Sequence, residues 1–138
     1  MPKACNSRMD SFFEAMAEHN RLGEWGEELV CQHLIKEGYA IVERNWRMDH
    51  LELDIVAEKD EWIAFVEVKT RRVEGERLSD VITSRKISRI VRAANGYLTS
   101  HRIELKPRFD VAFIFGTPSS YKLEYIPDAF LPKLRTYR

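Results

Sequence analysis

The sequence predicts an α/β domain, a mixed β-sheet with a helix packed on it, and three observations carry that reading. Apolar residues recur at helical spacing in two stretches, five shorter segments alternate or run apolar as strands do, and no linker or repeat divides the chain. The resulting order is α-β-β-β-α-β-β within 138 residues, the length of one ordinary domain. With 44% hydrophobic residues the chain can bury a core, which excludes a disordered protein.

Residues 1–18 read as an N-terminal extension and 19–138 as a single domain. Over 21–37, Leu22, Trp25, Val30, Leu34 and Ile35 follow the helical period, with Asn20 placed to cap the start and Gly38 to end it. Segments 39–44, 51–57 and 62–69 read as three strands, the last rich in β-branched and aromatic residues. The polar run 58–61 reads as a tight turn that makes the second and third strands a hairpin. Ile87, Ile90, Val91, Ala94, Tyr97 and Leu98 predict a second helix over 84–100. Strands over 108–115 and 121–126, separated by a turn-rich 116–120, complete the order.

Several function classes drop out. No apolar run approaches the roughly 18 residues of a membrane span, and the first fifteen residues lack the apolar centre of a signal peptide, so a cytoplasmic protein without a membrane partner is expected. Cys5 and Cys31 match no zinc or thioredoxin spacing. His19, His33, His50 and His101 suggest neither a metal cluster nor a triad, and Ser79, Ser84 and Ser88 carry no nucleophile signature.

Charge is distributed unevenly. The 22 basic and 22 acidic residues cancel, but 10–67 holds 15 acidic against 5 basic residues, a net of −10, and 69–138 holds 15 basic against 7 acidic, a net of +8. Such a chain suits a site that gathers a divalent cation on one side and a polyanion on the other; two differently solvated faces explain the counts as well.

The chemistry concentrates in Glu52-Leu53-Asp54 and Glu67-Val68-Lys69, where ionisable residues interrupt strands that otherwise look buried. Burying a charge is costly unless it is paired or binds metal. With a two-residue loop at Lys59-Asp60, or a four-residue one, Asp54 falls opposite Phe65 and Glu52 opposite Glu67, and all four charged residues share one side. Asp54 and Glu67 are then diagonal neighbours able to reach one hard cation, Mg²⁺ or Mn²⁺ rather than zinc. Lys69 beside them suits orienting a water and stabilising charge on a phosphate. A cross-strand Glu–Lys ladder on a solvated face is the competing reading. Glu27 lies on the stripe Gly23, Glu27, Val30, Leu34, which aims its carboxylate at the sheet, although helical geometry alone fits a solvated flank residue too.

The runs Gly23-x-x-Gly26-Glu27, Gly38-Tyr39, Glu43-Arg44-Asn45-Trp46-Arg47, Glu52-Leu53-Asp54-Ile55-Val56-Ala57, Phe65-Val66-Glu67-Val68-Lys69-Thr70-Arg71, Lys86, Arg108-Phe109-Asp110-Val111 and Asp128-Ala129-Phe130 resemble the bacterial YraN-like family, across nearly all of 21–130. That family is similar to the restriction-endonuclease-like PD-(D/E)xK nucleases and the archaeal Holliday-junction resolvases. The resemblance implies a restriction-endonuclease-like core, a central mixed sheet flanked by helices, and a divalent-metal nuclease site. Asp54 matches the PD-type aspartate, Glu67 and Lys69 match (D/E)xK, and Glu27 matches the helix glutamate of resolvases; Asp54, Glu67 and Glu27 would hold Mg²⁺ or Mn²⁺. Leu51-Glu52-Leu53-Asp54 departs from the family's frequent Gly-Glu-Ile-Asp, no proline precedes Asp54, and Arg47-Met48-Asp49-His50 lacks the serine of resolvases.

For DNA contact, Arg85, Arg89 and Arg92 fall at i, i+4 and i+7 with Lys86 beside them, able to follow a phosphate backbone. Thr70, Arg71 and Arg72 directly follow Lys69 and are expected at the mouth of the site. Arg44 and Arg47 suit a phosphate clamp or strand-end caps, and Asp110 a structural carboxylate paired to Arg108 or Lys69, or an outer member of the site. The expected function is a metal-dependent endonuclease on duplex or branched DNA, with a homodimer by analogy to resolvases; the alternative is a nucleic-acid-binding module with little or no turnover.

Overall fold

In a computed structural model, which describes residues 7–72, 75 and 77–132, the chain runs α1 (Ser7–Lys36), β1 (Ala40–Met48), β2 (Leu51–Lys59), β3 (Trp62–Arg71), α2 (Leu78–Val81), α3 (Ser84–Ser100), β4 (Lys106–Thr117) and β5 (Ser120–Ile126). The five strands lie in sequence order in one sheet, parallel between β3 and β4 and antiparallel elsewhere. A parallel neighbour demands a crossover, and α3 supplies it. This is the expected α/β architecture, a mixed sheet between two helices, consistent with a restriction-endonuclease-like core.

Burial on both faces explains why β3 reads as a continuous apolar run: Ile63, Ala64, Phe65 and Val66 are all buried. Leu51, Leu53, Val56, Ile63 and Phe65 meet Ile90, Ala94 and Tyr97 of α3. On the opposite face, Ile55, Ala57, Ala64, Val66 and Ile114 meet Val30 and Leu34 of α1. Each large apolar side chain so buried contributes about 1.5–3 kcal/mol, and together they fix both helices on the sheet. Among the described residues no helix is long and apolar enough to cross a membrane.

Beyond strand ends that run one or two residues longer and the short α2 in a stretch expected as loop, three differences from expectation matter. The first helix begins at Ser7, so Asn20 sits inside it and the described part of 1–18 is helical. Asn20 is a good cap but no obstacle to a helix, and the preceding Glu14-Ala15-Met16-Ala17-Glu18 are mostly strong helix formers. β1 runs on to Met48, and Asp49-His50, with Asp49 at φ 56°, forms a two-residue turn before Met48 pairs with Leu51. The β2–β3 turn is Asp60-Glu61, with Asp60 at φ 54° and Lys59 paired to Trp62. The register therefore differs by two residues from that expected, and Asp54 is not opposite Phe65 nor Glu52 opposite Glu67. A shift of two preserves the parity of the pleat.

Asp110 is fully buried and structural. Its carboxylate accepts from Arg108 Nε at 2.8 Å, Arg108 Nη2 at 2.7 Å, the Asp128 backbone N–H at 2.9 Å and the Tyr125 hydroxyl. Its ionic partner is Arg108 rather than Lys69. Four donors satisfy the charge where it is out of water.

Candidate functional site

The paired residues of β2 and β3 end at Ile55 and Val66, although β2 itself begins at Leu51. One step beyond, the ladder is replaced by a side chain: Asp54 Oδ2 accepts the Val68 backbone N–H at 2.9 Å. Around Asp54 the alternation of β2 also breaks, because Leu53 packs toward α3 and Ile55 toward α1. The neighbouring strand breaks at the matching place. Trp46, paired with Leu53, packs toward α3, whereas Arg44, paired with Ile55, bonds Glu28 of α1; Asn45 between them has φ 51°. Asn tolerates this left-handed backbone better than most residues.

Asp54 thereby reaches a cleft of about 220 Å³ whose lining also includes Glu27 from α1, Glu67 and Lys69 from β3 and Lys86 from α3. α1 is seated here by a close approach: a Cβ on Gly26 would lie 2.0 Å from Thr70 Oγ1. Gly23, one turn earlier, borders the cleft. Glu67 is only 7% exposed, yet its Oε1 faces two ammonium groups, Lys86 Nζ at 2.9 Å and Lys69 Nζ at 3.6 Å.

Burial and the Glu67 charge push the Asp54 carboxyl up to about 8, against the opposing Val68 hydrogen bond. Burial also raises Glu27, although Asn45 Nδ2 donates to its Oε2 at 3.1 Å. For Lys86, burial disfavours the charge, but Glu67 and Asp54 outweigh it and hold the ammonium above its usual range. Two acidic oxygen donors side by side in a partly buried cleft suit a hard cation. Among the described residues no group of three or more His, Cys, Asp or Glu side chains is arranged to hold one, so Glu27 shares the cleft without closing a three-carboxylate cluster.

The model of the uncharacterised protein family UPF0102 matches residues 26–114, which contain Glu27, Asp54, Glu67, Lys69 and Lys86. The chain is 40% identical over 116 residues to the UPF0102 protein FP2501 of Flavobacterium psychrophilum, covering 83% of this chain and 98% of that protein. It is 41% identical over 120 residues to a UPF0102 protein of Bacteroides thetaiotaomicron, covering 86% and 99%. This chain belongs to the UPF0102 (YraN) family.

In this UPF0102 fold Thr70 and Arg71 line the same cleft as Glu27, Asp54, Glu67, Lys69 and Lys86, and Arg72 joins Lys69, Thr70 and Arg71 along an adjoining groove of about 590 Å³. Arg72 is ion-paired there with Glu18 of α1. Arg47 stands apart, exposed, with Glu52 at 3.9 Å. Arg85 and Arg89 are exposed on α3 outside the cleft, and Arg89 Nη2 donates to the His50 carbonyl at 3.1 Å. Arg44 pairs with Glu28 at 2.7 Å. Sequence reasoning missed His19 as a cleft residue because it began the helix at Arg21, although His19, Gly23 and Glu27 continue one i, i+4 stripe, and it read Leu22 only as a member of the helix's apolar period. It also assigned Lys86 to backbone contact, and nothing in the spacing linked α3 to Glu67.

Proposed function

We propose that this UPF0102 protein is a Mg²⁺- or Mn²⁺-dependent DNA endonuclease. The observation that carries the reading is the half-buried Asp54 and the buried Glu67 sharing one open cleft with Lys69. Asp54 and Glu67 would hold the cation, with Glu27 on the α1 wall acting on its outer side. The cation supplies Lewis-acid stabilisation of a phosphate and a more acidic water.

The remaining work falls to the chain's own groups. Lys69 orients the attacking water and balances the negative charge that grows on the phosphate oxygens as the new P–O bond forms and the leaving oxygen departs. Thr70, Arg71 and Arg72 steer the backbone at the mouth, and Arg85, Arg89 and Arg47 contact phosphates farther out; such contacts are insensitive to base sequence. A homodimer would present two such sites to a branched substrate.

The test is incubation of linear, supercoiled and four-way-junction DNA with the pure protein and Mg²⁺ or Mn²⁺. Cleavage that requires the cation and disappears in Asp54→Asn and Glu67→Gln supports the reading. Metal-independent cleavage, or none on any form, contradicts it; salt-sensitive DNA binding without cleavage would favour the binding-module alternative.

A further inference from the structure

Lys86 occupies a place that helix physics does not favour. It is the third residue after the cap Thr83, whose Oγ1 accepts the Lys86 N–H at 3.2 Å, and that position ordinarily favours Glu or Gln. The first turn of α3 carries no acidic residue, so two cations, Arg85 and Lys86, sit at the positive end of the helix dipole. The compensation for Lys86 lies on the other element: its Nζ is 2.9 Å from Glu67 Oε1, nearer than the 3.6 Å of Lys69. Asp54 has a different arrangement, its Oδ2 taking a backbone N–H.

We infer that Lys86 is an internal stand-in for the divalent cation: its ammonium covers Glu67 until metal arrives, then swings to a substrate phosphate. This rests on the reading of Asp54 and Glu67 as a hard-cation site. A lysine suits the exchange because its charge is compact and rides on a flexible stem. Leaving Glu67 unpaired would be costly in a buried setting, so the metal-free cleft needs a resident cation. Once displaced, Lys86 needs a new anion, and the phosphate backbone provides it. Metal and nucleic acid then favour each other's binding, a coupling that is reciprocal by linkage.

The experiment is calorimetric titration of the full chain with Mn²⁺, alone and with a short phosphorothioate duplex that resists hydrolysis. Lys86→Met is compared with wild type, and Lys69→Met serves as the control for removing one nearby positive charge. Lys86→Met should tighten Mn²⁺ about tenfold in the absence of DNA, more than Lys69→Met does, and should reduce the gain that DNA brings. Lys86→Gln keeps polarity and decides the matter if the Met variant does not fold, as judged by thermal melting. Mn²⁺ affinity in the Lys86 variants equal to wild type, or raised no more than in Lys69→Met, overturns the inference while leaving the metal site standing. Absence of Mn²⁺ binding in every protein overturns the site reading and the inference with it. Normal coupling without DNA cleavage removes the nuclease proposal alone.

Discussion

Asp54 and Glu67 are neighbouring acids withdrawn from the surface, and one of them answers by holding its proton. The Asp54 carboxyl sits at about 8, far above its ordinary range, through burial and the Glu67 charge. Between the ordinary value and about 8 the folded chain therefore binds a proton that the unfolded chain has released. Stability from this group is fully present below about pH 4 and is lost as pH rises through about 8. In metal-free buffer, Asp54→Asn keeps an oxygen for the Val68 N–H but removes the titration, so its stability curve should be flatter than wild type by up to about 1 kcal/mol per pH unit across this window. Urea denaturation at a series of pH values checks it, and parallel curves would contradict it. Lys69 makes a different prediction. Its proposed role belongs to the transition state, so Lys69→Ala should retain Mn²⁺ and DNA binding and lose cleavage, read by single-turnover kinetics.

The glycines of α1 separate packing from function at the scale of an element. Gly26 abuts Thr70 Oγ1, so Gly26→Ala forces a shift in a buried contact and should destabilise by about 1–3 kcal/mol. A Cβ on Gly23 would meet no atom within 4 Å, so Gly23→Ala should stabilise the helix by about 0.5–1 kcal/mol. Because that methyl projects at the cleft wall, weaker Mn²⁺ or DNA binding in Gly23→Ala would report an occupant pressing on α1. Thermal melts of both variants decide the signs. The elements were largely legible because their apolar periods are strong: α3 begins and ends where Ile87 through Leu98 place it, and Ile63–Val66 announces a buried strand. The Asp54 geometry was not legible. It depends on a face switch that coincides with the positive φ of Asn45 on the next strand, and a strict period of two conceals such a break. The even-length turn Asp60-Glu61 moved the register by two and left parity intact only within the paired segment, 55–59 with 62–66, and the face switch at Asp54 lies outside that segment. Lys86 was illegible for another reason: α3 crosses to Glu67 through the tertiary fold, and sequence spacing carries no trace of that meeting.

Across the whole molecule, the acidic and basic parts of the chain meet at Val68, between Glu67 and Lys69 on the central strand. The acidic part contributes α1, β1 and β2, and the basic part contributes α3, β4 and β5, so the junction of the two charge fields coincides with the cleft. On the proposed reading, a polyanion drawn to the basic side would be delivered to the carboxylates of the cleft. Arg85→Glu with Arg89→Glu should weaken binding to all duplex sequences alike and flatten the salt dependence, by about 0.9 in the slope of log K against log salt for each phosphate that is no longer neutralised. Binding curves at several salt concentrations test this, and an unchanged slope would show that α3 holds no DNA. The central claim is narrower: Asp54 and Glu67 together bind a hard cation. Its most direct test is Mn²⁺ titration by calorimetry of wild type, Asp54→Asn and Glu67→Gln, each first shown to be folded. One saturable site in the wild type and its loss in both variants is the expected result; equal Mn²⁺ affinity in all three proteins would contradict it.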